Sequence, residues 1–600
     1  MLNSVTLYTY FFVLTSCSIF SKAANVIQVT VPASPPTHNT VDPNFLGVSV
    51  ELSFAGQYFG NDTSTIPPAI VNYLKALRAR TGNSFLRVRI GGNSMDSSNY
   101  DPSITSPMIQ MIPGAANAND QSVNYGPVLW DVLNKVSSDV GDASYLIGLS
   151  LLNPNSTDVP LAAGDAANKL ASNLDGFLLG NEPDLYTDHG QRPNIQNYTT
   201  SIYMSEFQEV LGHLSNTSAG DIPDKHDIVG PTICCEWDLD ALLSDGYVKT
   251  FGSDLKYVSL QHYPQDVCSG TYQFGISHYV QHANVVTLAE WQNAGIEAVL
   301  ANNQQKVIMS EFNSVSCGGV PTVSDSFGVG SLWTTDYALQ MASVGYSAAY
   351  LHTREQGISY NMFSPPAGPD GSPGPWTTGS PYYSLLATAE ALRSDAGSIV
   401  FDLNIAGSKT NLDVTTSGYA IYDAQNNTVQ QLVFFNYANT TSSANSSVPF
   451  MIPAATFPSS SRASVTVKYL VGDSLAETKK IGWGGQTLAG STDGTLQPTT
   501  ATWAPPNIEV DCTNGCTINV PAPGMALVLA GGTPSVQQDQ SPTISTSSNG
   551  PSVTNNANST SAGSTTTSSK KNNASQRNPL STVYFNSLLC VMFVAWTVIY

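Results

Sequence analysis

From about Asn44 the chain alternates short apolar runs with longer stretches of helical period. The runs Phe45–Phe54, Phe85–Gly91, Tyr145–Leu152, Gly176–Gly180, Asp227–Ile233, Lys256–His262, Val307–Ser310 and Ser347–Leu351 read as eight strands. Amphipathic helices are predicted between and after them over Ala69–Arg80, Val128–Val136, Leu161–Ser172, Ser201–Leu214, Asp240–Phe251, Val286–Ala301, Leu332–Val344 and Pro381–Leu392. Eight strands each followed by a helix is the count of a (β/α)₈ TIM barrel. The stretch 44–394 exceeds the roughly 250 residues typical of that fold, which implies long loops. A doubly wound open sheet would not favour eight regular units.

After about Asp395 the helical period disappears. Alternating strand patterns follow at Tyr419–Asp423, Val429–Asn436, Ser464–Val471, Asn507–Asp511 and Ala526–Leu529, separated by turn residues. They predict a C-terminal antiparallel β-sandwich over 395–531. Asn25–Val31 also reads as a strand, and the segment 25–43 is expected to join the sandwich rather than the barrel.

The two ends do not fit either domain. Leu7–Phe20 is an apolar run followed by Ser21-Lys22-Ala23-Ala24, so 1–24 is expected to be a secretory signal peptide. Thr533–Pro579 is dominated by Ser, Thr, Asn and Gln, and Leu580–Tyr600 carries no charged side chain. A disordered stalk over 532–579 and a terminal hydrophobic tail over 580–600 together describe a GPI-attachment signal, with the attachment residue between Ser561 and Asn573. The expected location is the outer face of the plasma membrane or the cell wall, with the membrane reached through the lipid anchor only. N-x-[ST] sequons at Asn61, Asn155, Asn197, Asn216, Asn426, Asn439, Asn445, Asn558 and Asn573 are then candidates for glycosylation.

Composition narrows the function. The 600 residues carry 23 Lys+Arg against 44 Asp+Glu, a net charge of −21, so nucleic acid is not an expected partner. The same shortage of cations argues against a polysulfated glycan as substrate. Of eight cysteines, Cys17 and Cys590 lie in the processed ends. The remaining six permit fifteen pairings. Cys512–Cys516 is the nearest local bridge, and Cys268–Cys317 is the next, since both residues follow strands expected to lie side by side. No spacing resembles a metal site, and no cofactor is expected. Gly-x-Ser-x-Gly and His-Glu-x-x-His are both absent.

Two glutamates stand at strand ends. Leu178-Leu179-Gly180-Asn181-Glu182-Pro183 places Glu182 where the proline forces the chain out of strand four. Val307-Ile308-Met309-Ser310-Glu311 repeats the arrangement on strand seven. In a barrel both tips open onto the catalytic face. Paired carboxylates across a sugar-sized cleft are the equipment of glycoside hydrolysis, with retention when they stand about 5–5.5 Å apart. Glu182 is expected to protonate the leaving oxygen, its pKa raised by the Glu311 charge. Asn181 is suited to bond the sugar 2-hydroxyl.

Asn181-Glu182-Pro183 with Glu311 on strand seven resembles the large clan of retaining (β/α)₈ glycosidases. More narrowly, Gly47-Val48-Ser49-Val50-Glu51 and Arg87-Val88-Arg89-Ile90-Gly91-Gly92-Asn93-Ser94 resemble glycoside hydrolase family 79, which contains β-glucuronidases and heparanases. Ser310–Ser314 and the Pro521–Ala530 ending fit as well, so the likeness spans Asn25 to Ala530. The resemblance implies Glu182 as acid/base and Glu311 as nucleophile. It implies Glu51, Asn93 and Asn181 as holders of sugar hydroxyls. His262 and Tyr263 would adjoin the nucleophile, with Tyr263 donating to Glu311. His352, Arg354, Gln356 and Tyr360 follow strand eight, where the family's glucuronidases recognise the sugar carboxylate, and Arg354 offers a bidentate fork.

These readings predict a secreted, cell-surface retaining β-glycosidase acting on β-glucuronides or related sugars of cell-wall polysaccharide or proteoglycan glycans. The alternatives are a catalytically silent surface adhesion protein that binds glycans, and a transglycosylase that passes the same covalent intermediate to a sugar hydroxyl.

Overall fold

The computed structural model describes residues 26–536 apart from 38, 114–120, 303–304, 368–373, 440–446 and 534–535. The expected signal peptide, nearly all of the stalk and the hydrophobic tail lie outside the described residues.

Eight parallel strands close into a barrel: β1 (Leu46–Glu51), β2 (Leu86–Gly91), β3 (Ala143–Leu149), β4 (Leu174–Leu179), β5 (Ile228–Ile233), β6 (Leu255–His262), β7 (Lys306–Phe312) and β8 (Tyr346–Thr353). All eight coincide with the predicted apolar runs. Their side chains alternate between the helix-facing layer and the lumen. In β2, Val88 and Ile90 belong to the apolar core, while Arg87 and Arg89 reach acidic partners on other strands. At the N-terminal end Arg87 pairs with Asp175 at 3.0 Å, and Lys256 meets the same carboxylate at 3.0 Å. Nearer the C-terminal end Ser259 donates to Ser310 Oγ at 2.7 Å. The lumen is thus a packed, largely polar column that hands over to the site at its upper end.

Three predicted helices differ in detail. Asp240–Phe251 is two short helices, Leu239–Ser244 and Tyr247–Phe251, broken at Gly246, where φ is 101°. Val286–Ala301 is likewise divided into His282–Ala289 and Asn293–Asn302. Thr334–Val344 is preceded by a wider helical turn over Phe327–Trp333.

The C-terminal part forms a large antiparallel sheet, including Ser398–Asp402, Thr416–Asp423, Val429–Asn436, Ser464–Gly472 and Gly524–Leu529, and a three-stranded sheet. In the smaller sheet Ile27–Gln28 pairs parallel with Val448–Ile452, which pairs antiparallel with Cys516–Val520. The large sheet is buried on both faces. Tyr419, Ile421, Val433 and Phe435 join the barrel core, whereas Ala420, Tyr422, Leu432 and Phe434 face the smaller sheet. Period-two alternation therefore sorts two apolar surfaces instead of one apolar and one wet. The barrel and the sandwich share a continuous core across this sheet.

Two buried ionic clusters reinforce that junction. His282 lies between Asp336 at 2.9 Å and Asp402 at 3.0 Å, and Tyr437 donates to Asp336 at 2.6 Å. Glu390 accepts from Arg80 at 2.7 Å, Lys468 at 2.7 Å and Trp483 at 2.8 Å. The six cysteines pair as Cys234–Cys235, Cys268–Cys317 and Cys512–Cys516.

Candidate active site

The C-terminal tips of the barrel strands surround a cavity of about 540 Å³ that both Glu182 and Glu311 line. The route to Glu182 is set by local sequence. After β4, Gly180 takes φ 81° and Glu182 itself takes φ 49°, ψ 56°, and Pro183 opens a short 3₁₀ turn. A left-handed glutamate costs about 1–3 kcal/mol and persists only where its surroundings over-determine it. Here they do. The Asn181 amide donates to Asp96 at 2.8 Å, the Gly180 amide to Leu149 O at 2.9 Å, and Thr232 Oγ1 to Gly180 O at 2.7 Å.

Glu311 lies within β7, one residue before its end, and is 7% exposed. Arg89 Nη1 pairs with its Oε2, and Tyr263 donates to its Oε1 at 2.8 Å. Arg89 is fully buried and also donates to Ser49 Oγ at 3.1 Å and Asn181 Oδ1 at 3.0 Å. Ser49 bonds His352 Nδ1 at 2.8 Å, and the other ring nitrogen faces Glu51 at 3.3 Å and Glu311 at 3.8 Å. Glu51 is in turn fixed by the Ser94 amide at 2.9 Å and the Ser94 hydroxyl at 2.5 Å. This approach requires glycine at 92. Its φ is 87°, and a Cβ there would meet the Glu51 carboxylate at 2.2 Å.

The two carboxyls are pushed in opposite directions. Burial raises the Glu182 pKa well above the ordinary range, and the charges of Glu311 and Asp184 add to it while Arg89 opposes. Burial alone would raise Glu311 too. The charges of His352 and Arg89, with the hydrogen bonds from Arg89 and Tyr263, outweigh it and hold Glu311 below the ordinary range. The site thus favours the proton on Glu182 and the charge on Glu311, which is the division of labour an acid and a nucleophile need.

Of the residues singled out in the sequence, Glu51, Asn93, Glu182, Tyr263, Glu311, His352, Arg354 and Tyr360 line the cavity. Tyr263 makes the expected bond to Glu311. Three others do not line it. Asn181 lies one layer below, its amide spanning Arg89 and Asn93, to which it donates at 2.9 Å. Gln356 is exposed, with its backbone amide on Gln57. His262 needs a clearer correction. Its ring stacks on Trp291 with centroids 4.2 Å apart, outside the catalytic cavity, and burial lowers its pKa to about 4. A side chain two places along an extended chain from one that enters the cavity would enter too, but His262 precedes Tyr263 by one and so faces the other way.

Sequence reasoning did not single out Arg89, Ser49 or Gln261. With its amide nitrogen turned to the carboxylate, Gln261 donates to Glu182 Oε1 at 3.2 Å. The available signal was polar residues at lumen-facing positions of apolar strands, where a buried charge requires a partner.

A model of the glycosyl hydrolase family 79 C-terminal beta domain matches residues 418–527. A β-glucuronidase from Neurospora crassa is 25% identical over 480 residues, covering 74% of this chain and 80% of the relative. A β-glucuronidase from Aspergillus niger is 23% identical over 470 residues, covering 74% of this chain and 82% of the relative. Among solved structures, a 4-O-α-L-rhamnosyl-β-D-glucuronidase from Fusarium oxysporum shares the fold, with a TM-score of 0.65 and 22% identity over 84% of this chain and 100% of that one. The matched domain and the fungal relatives support an assignment to glycoside hydrolase family 79, and the barrel-plus-sandwich fold agrees with it.

Proposed function

We propose that the enzyme is a retaining exo-acting β-glucuronidase. The observation that carries the reading is the opposed polarisation of Glu182 and Glu311 in one cavity that Arg354, its guanidinium paired with Glu355 at 3.1 Å, also lines. In the first step Glu311 attacks the anomeric carbon, the bond to the leaving oxygen breaks, and Glu182 delivers its proton to that oxygen. Once the Glu311 charge is consumed in the ester, its repulsion of a charge on Glu182 disappears and only burial and the remaining acids hold the Glu182 pKa up. Glu182 then takes a proton from water as the water oxygen attacks the anomeric carbon. The ester bond breaks, Glu311 regains its charge, and the configuration is retained.

Arg354 favours a substrate with one carboxylate. Its backbone amide donates to Asn361 Oδ1 at 3.0 Å, which sets the start of the loop after β8. Asp188 and Asp266 also line the cavity, a lining that disfavours a multiply charged glycan. The relatives' names, β-glucuronidase in both fungi, agree with this choice.

The test is hydrolysis of aryl β-glucuronide, β-glucoside, β-galactoside and β-xyloside, with Glu182→Ala and Glu311→Ala as controls and the first anomer formed read by NMR. Glucuronide turnover giving the β-anomer first, lost in Glu311→Ala, is expected. Glycan binding without turnover would favour the adhesion reading and sink this one. Transfer of the sugar to an acceptor at the expense of hydrolysis would favour the transglycosylase.

We further propose that the enzyme is secreted and held at the cell surface by a GPI anchor. Three disulfides accord with an oxidising compartment. Asn155, Asn197, Asn216, Asn426 and Asn439 are exposed, as glycosylated asparagines must be. Release of activity from intact cells by a phosphatidylinositol-specific phospholipase is expected; activity confined to the cytosolic fraction would refute the location.

A further inference from the structure

Two of the three disulfides open onto the catalytic cavity. One of them, Cys234–Cys235, joins neighbours in sequence just past the end of β5, their Cα atoms 3.7 Å apart. Cys234 is 1% exposed and Cys235 is exposed. The bridged pair therefore presents a compact sulfur surface with no charge and no hydrogen-bond donor, in a cavity otherwise rich in carboxylates.

The bridge is bolted to the acid. The amides of Cys234, Cys235 and Glu236 donate to the Asp184 carboxylate at 3.1, 2.7 and 2.8 Å. Asp184 is 7% exposed and stands two residues past Glu182 on the same turn. Thr232, before the bridge, holds Gly180, before the acid. The disulfide and Glu182 thus belong to one rigid unit formed by the tips of β4 and β5.

The barrel order sets that unit apart from the polar side of the cavity. Strands β8, β1 and β2 are consecutive neighbours, and their ends and following loops carry Arg354, Tyr360, Glu51 and Asn93. Strands β4 and β5 lie across the closed ring. A sugar held by the polar side and attacked by Glu311 expels its leaving group toward Glu182, and so toward the bridge.

We propose that the Cys234–Cys235 disulfide is the apolar platform of the leaving-group subsite, against which the C–H face of a pyranose or an aryl ring lies. The proposal rests on the hydrolytic reading above. A disulfide between neighbours has no rotamers to freeze, so contact with it costs less ordering than contact with a flexible side chain.

The test compares the wild-type enzyme with Cys234→Ala/Cys235→Ala, each checked by thermal melt. KM is measured for a glucuronyl disaccharide, and Ki for free glucuronic acid, which occupies only the polar half. Loss of the platform is expected to raise the disaccharide KM about tenfold and to leave the Ki unchanged. An unchanged KM in a variant of an active enzyme overturns the platform and leaves the hydrolytic reading standing. A parallel rise in KM and Ki also overturns it, because the bridge would then merely support the cavity. No wild-type turnover removes the hydrolytic reading and the platform with it. If the double variant does not fold, wild-type inhibition by methyl, cyclohexyl and phenyl thio-β-glucuronides decides. Inhibition must tighten along the series by about fivefold or more, and a flat series overturns the platform.

Discussion

Replacing Arg89 by glutamine tests the electrostatics of the site most directly. Arg89 has no solvent exposure and its guanidinium pairs with Glu311 while bonding Ser49 and Asn181. Removing one member of a buried pair costs about 3–5 kcal/mol, because the other charge is left without compensation. At about 1.4 kcal/mol per pH unit, that cost corresponds to a rise of about two to four units in the Glu311 pKa. Glu182 loses a positive charge that opposes its own elevation, so its pKa rises further as well.

The sign of the rate effect follows. In the proposed mechanism activity requires Glu311 ionised, so it falls as pH drops through the Glu311 pKa, and it requires Glu182 protonated, so it falls as pH climbs through the Glu182 pKa. Both limbs of the kcat/KM profile should move to higher pH in Arg89→Gln. Stability has its own signature. A Glu311 raised above its unfolded value of about 4.3 contributes stability below that value and loses it as pH climbs through the raised one. The melting deficit of the variant should therefore be widest near neutrality and shrink toward about pH 4. Rates on an aryl glucuronide and thermal melts across the same buffers measure both. An acid limb that coincides with the wild type, or a deficit that ignores pH, would refute the assignment of Arg89 as the counter-ion of the nucleophile.

Glu182→Gln should lose about 10²–10⁴-fold on substrates with poor leaving groups and much less on activated aryl substrates; equal losses on both would remove it as the acid. His282 is buried between Asp336 and Asp402, and although burial opposes it, the two carboxylates lift its pKa to about 10. Its contribution to stability is complete below the unfolded value of about 6.5 and is lost as pH rises through the folded one, so wild-type melting should decline toward about pH 10 with a shallower decline in His282→Asn. Against the cost of burial, Lys468 and Arg80 lower the Glu390 pKa to about 2. That stability is present above about pH 4.5 and fades as pH falls toward 2; Glu390→Gln, which strands both cations, should cost about 3–5 kcal/mol in urea unfolding at pH 7.

The barrel was legible because each strand is buried on both sides and so appears as an apolar run bounded by polar loops. The strand ends were less so. Lys306–Phe312 continues past the predicted Ser310 because Glu311, a charge that closes an apolar run in sequence, is still in the ladder and finds its partners in the lumen. Several sandwich strands escaped notice for another reason. Ser398–Asp402, Val448–Ile452 and Cys516–Val520 are five residues each, and their identity depends on neighbours distant in sequence. The pairing of Cys234 with Cys235 had no local cue at all, since two adjacent cysteines read equally well as one half each of two longer bridges.

Arg87 and Arg89 mark the limit of what the string of residues can say about the site. They stand on one strand, on one face, two positions apart, and nothing in their composition separates them. Arg87 meets Asp175 and shares it with Lys256, where its work is to fill and neutralise the closed end of the lumen. Arg89 is about 6–7 Å further along, at the usual rise per residue, and that displacement brings it to Glu311 at the open end. Direction along a parallel strand is thus the missing variable. Once the barrel is accepted, a lumen-facing charge near the carboxyl end of any strand belongs to the chemistry, and the same charge near the amino end belongs to the packing. Asn181 and Ser49 follow the same rule. Neither needs to touch the sugar to matter, because together they fix the guanidinium that favours the charge on Glu311 while burial favours the proton on Glu182.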